Sequence, residues 1–548
     1  MSGTAYLDTF ANDNLPPREE WPELLFELDE LRYPERINCA VELVDQMVAR
    51  GHGASTAIRG ATLGWTYAEL LETVNRIAGV LRARLALVPG NRVLLRGANN
   101  PMMAACVLAV WKAGCVAVPT MPLLRARELA TIMTLARVDA VLCAADLRAE
   151  LDLACQGLDA APRVLSFNDS SDGSLKGLMA AMPPQFEAVD TWAQDVCLLS
   201  FTSGTTGRPK GTMHFHRDVL AICDCFPRSI LATRPDDVFI GSPPLAFTFG
   251  LGGLLLFPLR YGASTVLLEK LTPDLLLAAI ARYRATVCFT APTFYRQMAP
   301  LAGGYDLASL TRSVSAGEAL PLETRQVWQR ATGLAMIDGI GATEMLHIFI
   351  SAAGADIRPG ATGRPIPGYR ACILDGDGNP AGPGVIGRLA VKGPTGCRYL
   401  DDPRQRDYVC NGWNLTGDAY KMDEDGYYWY QARTDDMIIS AGYNIAGPEV
   451  EDVLLQHPAV AECAVVGAPD PERGQVVMAY VVLRPGEQAD LQMSKALQDH
   501  VKAAIAPYKY PRRIEFRTTL PRTETGKLQR FKLRQEAQHA ASQGVEAP

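Results

Sequence analysis

The segment Leu199-Ser-Phe-Thr-Ser-Gly-Thr-Thr-Gly-Arg-Pro-Lys-Gly211 holds six consecutive small or hydroxyl residues, Thr202 to Gly207, between an apolar lead-in (Val196–Leu199) and Lys210. Small residues let backbone N–H groups approach an anion closely, Ser and Thr hydroxyls add donors, and a lysine adds mobile positive charge. The chemistry this suits is phosphate holding by Thr202, Ser203, Gly204, Thr205, Thr206 and Lys210. Lys210 lacks the glycine offset of a G-x-x-x-x-G-K-[ST] loop, which excludes an ordinary P-loop NTPase. His214 and His216 flank Phe215 just beyond. Alternation on a strand would put both on one face, but no third ligand lies nearby in sequence, which argues against a metal pair.

The elements around this loop set its frame. Between residues 60 and 300, helical patterns alternate with short apolar runs. Trp65–Leu85 reads as a helix, Arg92–Arg96 as a buried strand, Pro101–Ala113 as a helix and Cys115–Val118 as a strand. The pattern returns at Ser264–Leu268, Leu275–Arg282 and Thr286–Thr290. Such alternation implies parallel sheets covered by helices. Beyond about residue 370 the texture changes to short strands split by Asp/Gly turns, at Ala371–Leu374, Gly387–Val391, Gly426–Gln431 and Met437–Ile439. Glu449–Leu455, Val460–Gly467, Met478–Leu483 and Leu491–Ala504 then suggest a small α+β unit. The expected fold is α/β: a large N-terminal domain (1–433) of parallel-rich sheets plus a β-rich subdomain, a hinge (434–437), and a small mobile C-terminal domain (438–548).

Composition limits the partners. The chain has 548 residues, 53 basic and 60 acidic, for a net charge of −7. That balance argues against nucleic-acid binding. The thirteen cysteines are scattered without a C-x-x-C pair and read as small core hydrophobes of a reducing compartment. Residues 1–30 lack the basic start and apolar core of a signal peptide. The most apolar run, Leu245 to Leu259, is cut by Gly250, Gly252, Gly253 and Pro258 and is too short to span a membrane. A cytoplasmic protein without a membrane partner is expected, with a homodimer left open.

The phosphate loop resembles the signature loop of the adenylate-forming superfamily: acyl- and aryl-CoA ligases, peptide-synthetase adenylation domains and firefly-type luciferases. Further segments resemble that superfamily's motifs in the right order: Ser315-Ala-Gly-Glu-Ala-Leu320, Asp338-Gly-Ile-Gly-Ala-Thr-Glu344, Thr416-Gly-Asp418, Arg433-Thr-Asp-Asp-Met-Ile-Ile439 and Pro521-Arg-Thr-Glu-Thr-Gly-Lys-Leu-Gln-Arg530. Many members carry Tyr where this chain has Ile340, whereas benzoate-type ligases share the Asp-Gly-Ile-Gly form. Gln475 stands where Glu is frequent.

The resemblance implies ATP, CoA and an aromatic carboxylate as ligands, with Mg²⁺ as cofactor. It implies nucleotide contacts from the loop, Glu318, Asp338, Gly339, Ile340, Gly341, Thr343, Asp418 and Arg433. Thr343 would contact the α-phosphate, and Glu344 with Thr206 would hold Mg²⁺, which prefers oxygen ligands plus phosphates. Asp418 would bind the ribose hydroxyls, as acids do elsewhere. Lys527, beside the permissive Gly526, would stand between carboxylate and α-phosphate. Thr343, Glu344 and Lys527 are the catalytic set. Asp435 would be the hinge, and Ser440, Ala441 and Gly442 would line the CoA tunnel.

Residues 242–252 lack the Asp that pairs an amino-acid ammonium, and Met345-Leu-His347-Ile-Phe-Ile350 resembles the string of benzoate- and 2-aminobenzoate-type ligases. Phe247, Thr248, Phe249, Ala316, Gly317, His347 and Ile348 are therefore expected around an aryl ring. The activity implied is aryl-CoA ligation through an aryl-adenylate, with 2-aminobenzoate first, then benzoate or hydroxybenzoate. The alternatives are a free-standing adenylation enzyme loading a carrier-protein thiol, a silent nucleotide-binding protein, and a light-emitting oxygenase. Intact Lys527, Glu344 and Asp418 argue against the silent protein.

Overall fold

The computed structural model describes residues 3–202, 209–440, 443–470, 473–522 and 528–542. A six-stranded sheet runs in the order Arg163–Phe167, Ala140–Ala144, Arg92–Arg96, Val116–Thr120, Val196–Thr202 and Lys210–Phe215, parallel except for its last pair. A nine-stranded sheet is parallel from Met336–Gly341 through Arg312–Ala316, Val287–Thr290, Val238–Gly241 and Ser264–Val266 to Thr56–Arg59, with antiparallel strands at both ends.

The main core lies between these sheets. It takes Val93, Leu95 and Leu142 from one and Phe239, Phe289 and Val314 from the other. Helix Pro101–Lys112 lies in that core and is buried on nearly every side, as a helix without a polar stripe must be. Its start is set by Pro101 at the first position and by Asn100, whose Oδ1 accepts from the Met103 N–H at 2.8 Å. The outer faces are covered separately. Leu129, Ile132 and Leu151 pack on the six-stranded sheet, and Leu276, Tyr295 and Trp328 on the nine-stranded one.

A third, antiparallel sheet contains Arg370–Leu374, Ile386–Lys392, Trp413–Met422 and Tyr428–Arg433. After a 3₁₀ turn at Thr434–Asp436, the chain enters a fourth sheet built on Val460–Asp470 and Gly474–Leu483. Helices Gly447–Gln456 and Leu491–Ala504 cover one face of it, and Leu533 and Ala537 of helix Arg530–Ser542 the other. Gln475 ties two neighbouring strands of this sheet together, because its Oε1 accepts from the Ile439 N–H of Ile438–Ser440 at 3.1 Å.

Some expectations need correction. Trp65 belongs to the short strand Gly64–Thr66, and the helix starts at Tyr67 behind a Thr66/Glu69 capping box. The apolar run from Leu245 is not broken by its glycines. The chain is helical from Thr248 to Arg260, with a wider π turn at Gly252–Leu256 just before Pro258. Burial of Leu254, Leu255, Leu256 and Phe257 outweighs the poor helix propensity of glycine there. His214 lies in strand Lys210–Phe215 while His216 starts helix His216–Ser229, so the two do not share a strand face.

Candidate active site

The candidate residues gather at the carboxyl ends of the parallel strands, where ligands bind in open α/β sheets. Ala316 ends one strand and Asp338 to Gly341 the next. Thr202 and Lys210 are register partners across an antiparallel pair, so both ends of the phosphate loop are fixed. Ser203, Gly204, Thr205 and Thr206 lie outside the described residues, as do Ala441, Gly442 and Lys527.

A cleft of about 980 Å³ opens between the larger part of the chain and the C-terminal unit. Gly317, Glu318, Asp338, Gly339, Ile340, Gly341, Asp418 and Arg433 line one side. Glu451, Glu462, Arg484 and Arg530 line the other. Arg522 and Leu528, the described residues on either side of 523–527, also line it and bridge to each other.

Asp418 and Arg433 are register partners, and the Arg433 guanidinium donates to Asp418 Oδ1 at 3.2 Å and to the Thr416 carbonyl at 3.1 Å. Gly417, at φ +75°, makes this seat possible, since a Cβ would lie 2.8 Å from the guanidinium. Burial raises the Asp418 pKa, with Arg433 opposing and Glu344 adding to the rise. Asp338 is half-buried yet enclosed by protein on most sides. That enclosure pushes its carboxyl up to about 7, with Arg325 pulling back.

Thr343 and Glu344 lie in a tight turn that ends on Leu346, a non-glycine residue at φ +68°. Such a conformation persists only where the surroundings hold it. His214 Nε2 bonds to the Thr343 carbonyl at 2.8 Å, and Thr395 Oγ1 donates to the Met345 carbonyl at 2.7 Å. Lys210 Nζ lies 3.6 Å from Glu344 Oε1. A buried carboxylate of this kind offers the hard oxygen donor that Mg²⁺ accepts alongside substrate phosphates.

The strained turn delivers His347 into an aromatic cage. Its ring is 4.5 Å from Phe257, edge-on, 5.7 Å from Phe226, 5.8 Å from Phe249 and 6.3 Å from Phe289. Burial pushes its pKa down to about 3, so the ring is neutral. The Phe249 backbone opposes this slightly without reaching hydrogen-bond geometry. Neither ring nitrogen has a partner among the described residues. Ile348 packs against Gly339, where a Cβ would lie 2.8 Å from it. Thr248 and Ala316 are buried. Phe247 precedes the helix and makes no ring contact with His347 among the described residues. Phe226, Phe257 and Phe289 escaped the sequence reading because they come from three separate elements, and only the spacing of Phe249, Gly252, Gly253 and Phe257 on one helix face could have pointed to this cage.

Elsewhere, His216 Nδ1 meets Cys39 Sγ at 3.1 Å, and these two with Cys197 have ligand atoms within 4.8 Å of one another. The imidazole nitrogen also accepts from the Cys39 N–H at 3.2 Å. The group is a hydrogen-bonded part of the core, away from the cleft lining. Ten of the thirteen cysteines are buried. Among the described residues, no helix is long and apolar enough to cross a membrane.

Strand-end geometry, a cleft flanked by a second unit, and the Asp418–Arg433 and Lys210–Glu344 pairs together define an adenylate-forming enzyme. The chain matches the AMP-binding enzyme family over residues 46–398 and the AMP-binding enzyme C-terminal domain over residues 449–527, and it belongs to that family. It is 37% identical to a benzoate–CoA ligase of Thauera aromatica, over 92% of this chain and 97% of that one. Its structure is similar to that of the anthranilate CoA ligase AuaEII in complex with anthranoyl-AMP, with a TM-score of 0.88 and 33% identity, covering 94% of this chain and 100% of that one. A benzoate CoA ligase from Burkholderia xenovorans LB400 is similar at a TM-score of 0.82 and 33% identity, covering 91% and 100%.

Proposed function

We propose that the protein is an ATP-dependent aryl-CoA ligase with a preference for 2-aminobenzoate. The carboxylate attacks the α-phosphate and pyrophosphate leaves. The CoA thiol then displaces AMP from the aryl-adenylate. An aromatic acid titrates near a Glu side chain, at about 4, so it arrives ionised and needs no general base. The protein's task is to neutralise converging anions and align them. We assign Lys527 to the charge between carboxylate and α-phosphate, Thr343 to the α-phosphate, and the loop with Lys210 to the remaining phosphates. Asp418, held by Arg433, is assigned to the ribose hydroxyls, and Glu318 with Asp338–Gly341 to the adenine side. Glu344 and Thr206 would hold Mg²⁺, which would neutralise phosphate charge. Rotation of the residues beyond 437 about Asp435 would exchange Lys527 for Ser440–Gly442 and admit the thiol arm.

The observation that carries the aryl reading is His347, a neutral, buried imidazole within an aromatic cage and with both nitrogens unpartnered among the described residues. Among the described residues, the rings around His347 are all uncharged phenylalanines, so an ammonium or a second carboxylate would enter unpaired at a cost of several kcal/mol. An aryl amine is neutral at pH 7 and escapes that cost. One satisfied polar contact at a buried nitrogen would discriminate by about 1.5–3 kcal/mol.

The test is AMP release from benzoate, 2-aminobenzoate, 2-hydroxybenzoate and hexanoate, with and without CoA, on wild type and His347→Ala. The expected result is kcat/KM highest for 2-aminobenzoate, turnover dependent on CoA, and a collapse of the 2-aminobenzoate-to-benzoate ratio in the variant. Hexanoate matching the aromatic acids would remove the aryl reading. Turnover with a carrier-protein thiol but not with CoA would favour the loading enzyme.

A further inference from the structure

Tyr399 stands between the two charged groups that flank the phosphate loop and the Thr343–Glu344 turn. Lys210 Nζ donates to its phenol oxygen at 2.7 Å, and the phenol O–H donates to Glu344 Oε1 at 2.5 Å. The side chain is 1% exposed. Its ring packs edge-on against Tyr408, with centroids 5.8 Å apart. Burial and the neighbouring Glu344 raise the phenol's pKa, so it remains a proton donor.

The segment carrying Tyr399 is pinned from both sides. Arg398 Nη1 donates to Asp218 Oδ2 at 2.7 Å, with both side chains fully buried. The Met213 N–H donates to the Arg398 carbonyl and the Leu400 N–H to the Gly211 carbonyl, each at 2.8 Å. The Tyr399 N–H donates to Gln405 Oε1 at 2.9 Å. The phenol oxygen therefore has a fixed position relative to the strand that begins at Lys210.

This arrangement solves a problem that two opposite charges create for themselves. A lysine hydrogen-bonded directly to Glu344 would be held on a carboxylate oxygen and compete there with any cation approaching it. Here the lysine's hydrogen bond goes to the phenol, with Nζ still within ion-pair distance of Glu344 Oε1 at 3.6 Å, and the phenol occupies that same carboxylate oxygen. The carboxylate is thereby oriented, and among the described residues its other oxygen has no hydrogen-bond partner and is open to a ligand.

We propose that Tyr399 is a positioning residue that orients Glu344 toward a divalent cation carried by the nucleotide and sets the position from which Lys210 turns to the phosphates. The proposal rests on the adenylation reading above. Outer partners of metal-binding carboxylates typically change metal affinity by about 10–100-fold when removed.

The test is Tyr399→Phe, which keeps the ring and deletes the hydroxyl. Binding of Mn²⁺·ATP without aryl acid is followed by electron paramagnetic resonance of the manganese, and thermal melting is recorded without nucleotide. The expected result is roughly tenfold or weaker Mn²⁺·ATP binding, a melting temperature close to wild type, and unchanged thioester formation from supplied aryl-adenylate and CoA. Tyr399→Phe/Glu344→Gln is expected to bind Mn²⁺·ATP as Glu344→Gln alone does, and it gives the same answer if the single variant melts early. Unchanged Mn²⁺·ATP affinity in Tyr399→Phe, additive losses in the double variant, or an equal fall in the thioester half-reaction would overturn the assignment. AMP release by wild type with any aryl acid keeps the adenylation reading standing in those cases. A wild type that neither binds Mn²⁺·ATP nor releases AMP overturns both.

Discussion

Lys527 is the cation we assign to the charge that develops as carboxylate meets α-phosphate. Lys527→Ala is expected to slow adenylate formation by about 10²–10³, the 2.7–4 kcal/mol typical of one lost oxyanion donor. Thioester formation from supplied aryl-adenylate and CoA is expected to match wild type, and an equal loss in both half-reactions would remove Lys527 from the first step. Asp338 makes a different prediction. Its carboxyl titrates at about 7 in the folded protein against an ordinary 3.8, so between those values the folded state holds more protons than the unfolded one. Stability then falls as pH rises from about 4 to about 7, and the loss is complete above that. Asp338→Asn cannot ionise, so calorimetry should show it gaining more melting temperature over wild type at pH 8 than at pH 4.5. A pH-independent difference would contradict this. The phosphate loop stands out in the sequence because small residues, hydroxyls, glycines and a lysine in a row are unusual, whereas Lys527 and Asp338 come into view only through the resemblance to the superfamily's motifs. The sequence hid Tyr399, since one tyrosine after an arginine carries no local signal and its meaning comes from two residues 189 and 55 positions away.

The helix from Thr248 to Arg260 is where element-level reading went astray, and the reason bears on the pocket. Glycines there read as breaks, but they let the helix backbone approach the cage. A Cβ at Gly252 would lie 2.4 Å from His347 Cδ2 and 2.9 Å from Nε2, and one at Gly253 would lie 2.5 Å from Phe289 Cδ1. Both rings are buried and cannot swing into solvent. Gly252→Ala is therefore expected to cost about 1–3 kcal/mol of stability by overpacking and to lower kcat/KM for aryl acids more than for ATP. Gly253→Ala serves as the control, with a similar stability cost and a smaller change in the ratio between aryl acids. If both variants shift that ratio equally, His347 is not the group through which Gly252 acts. Other elements were legible because local and tertiary preferences agree. Leu491–Ala504 starts behind Asp490, whose carboxylate accepts from the Met493 N–H, and it forms over the expected residues.

At the scale of the whole molecule, strand and helix alternation announced parallel sheets, but their strand order could not be read. The nine-stranded sheet ends on Thr56–Arg59 and Gly64–Thr66, whose neighbour Ser264–Val266 lies roughly two hundred residues further along the chain. The six-stranded sheet draws all its strands from the intervening stretch, between Arg92 and Phe215. This interleaving imposes an order on biosynthesis. At roughly 5–20 residues per second, the first hairpin leaves the ribosome about 10–40 s before the strand it must join exists. During that wait the six-stranded sheet can close, while Ala57 and Ile58, fully buried in the finished protein, stay exposed on an unpaired edge. Refolding from denaturant meets the same long loop closure, and topologies dominated by distant pairings fold slowly. The early hairpin is thus the segment that a chaperone would most need to shield, and chains that stall before residue 264 would be the ones to aggregate.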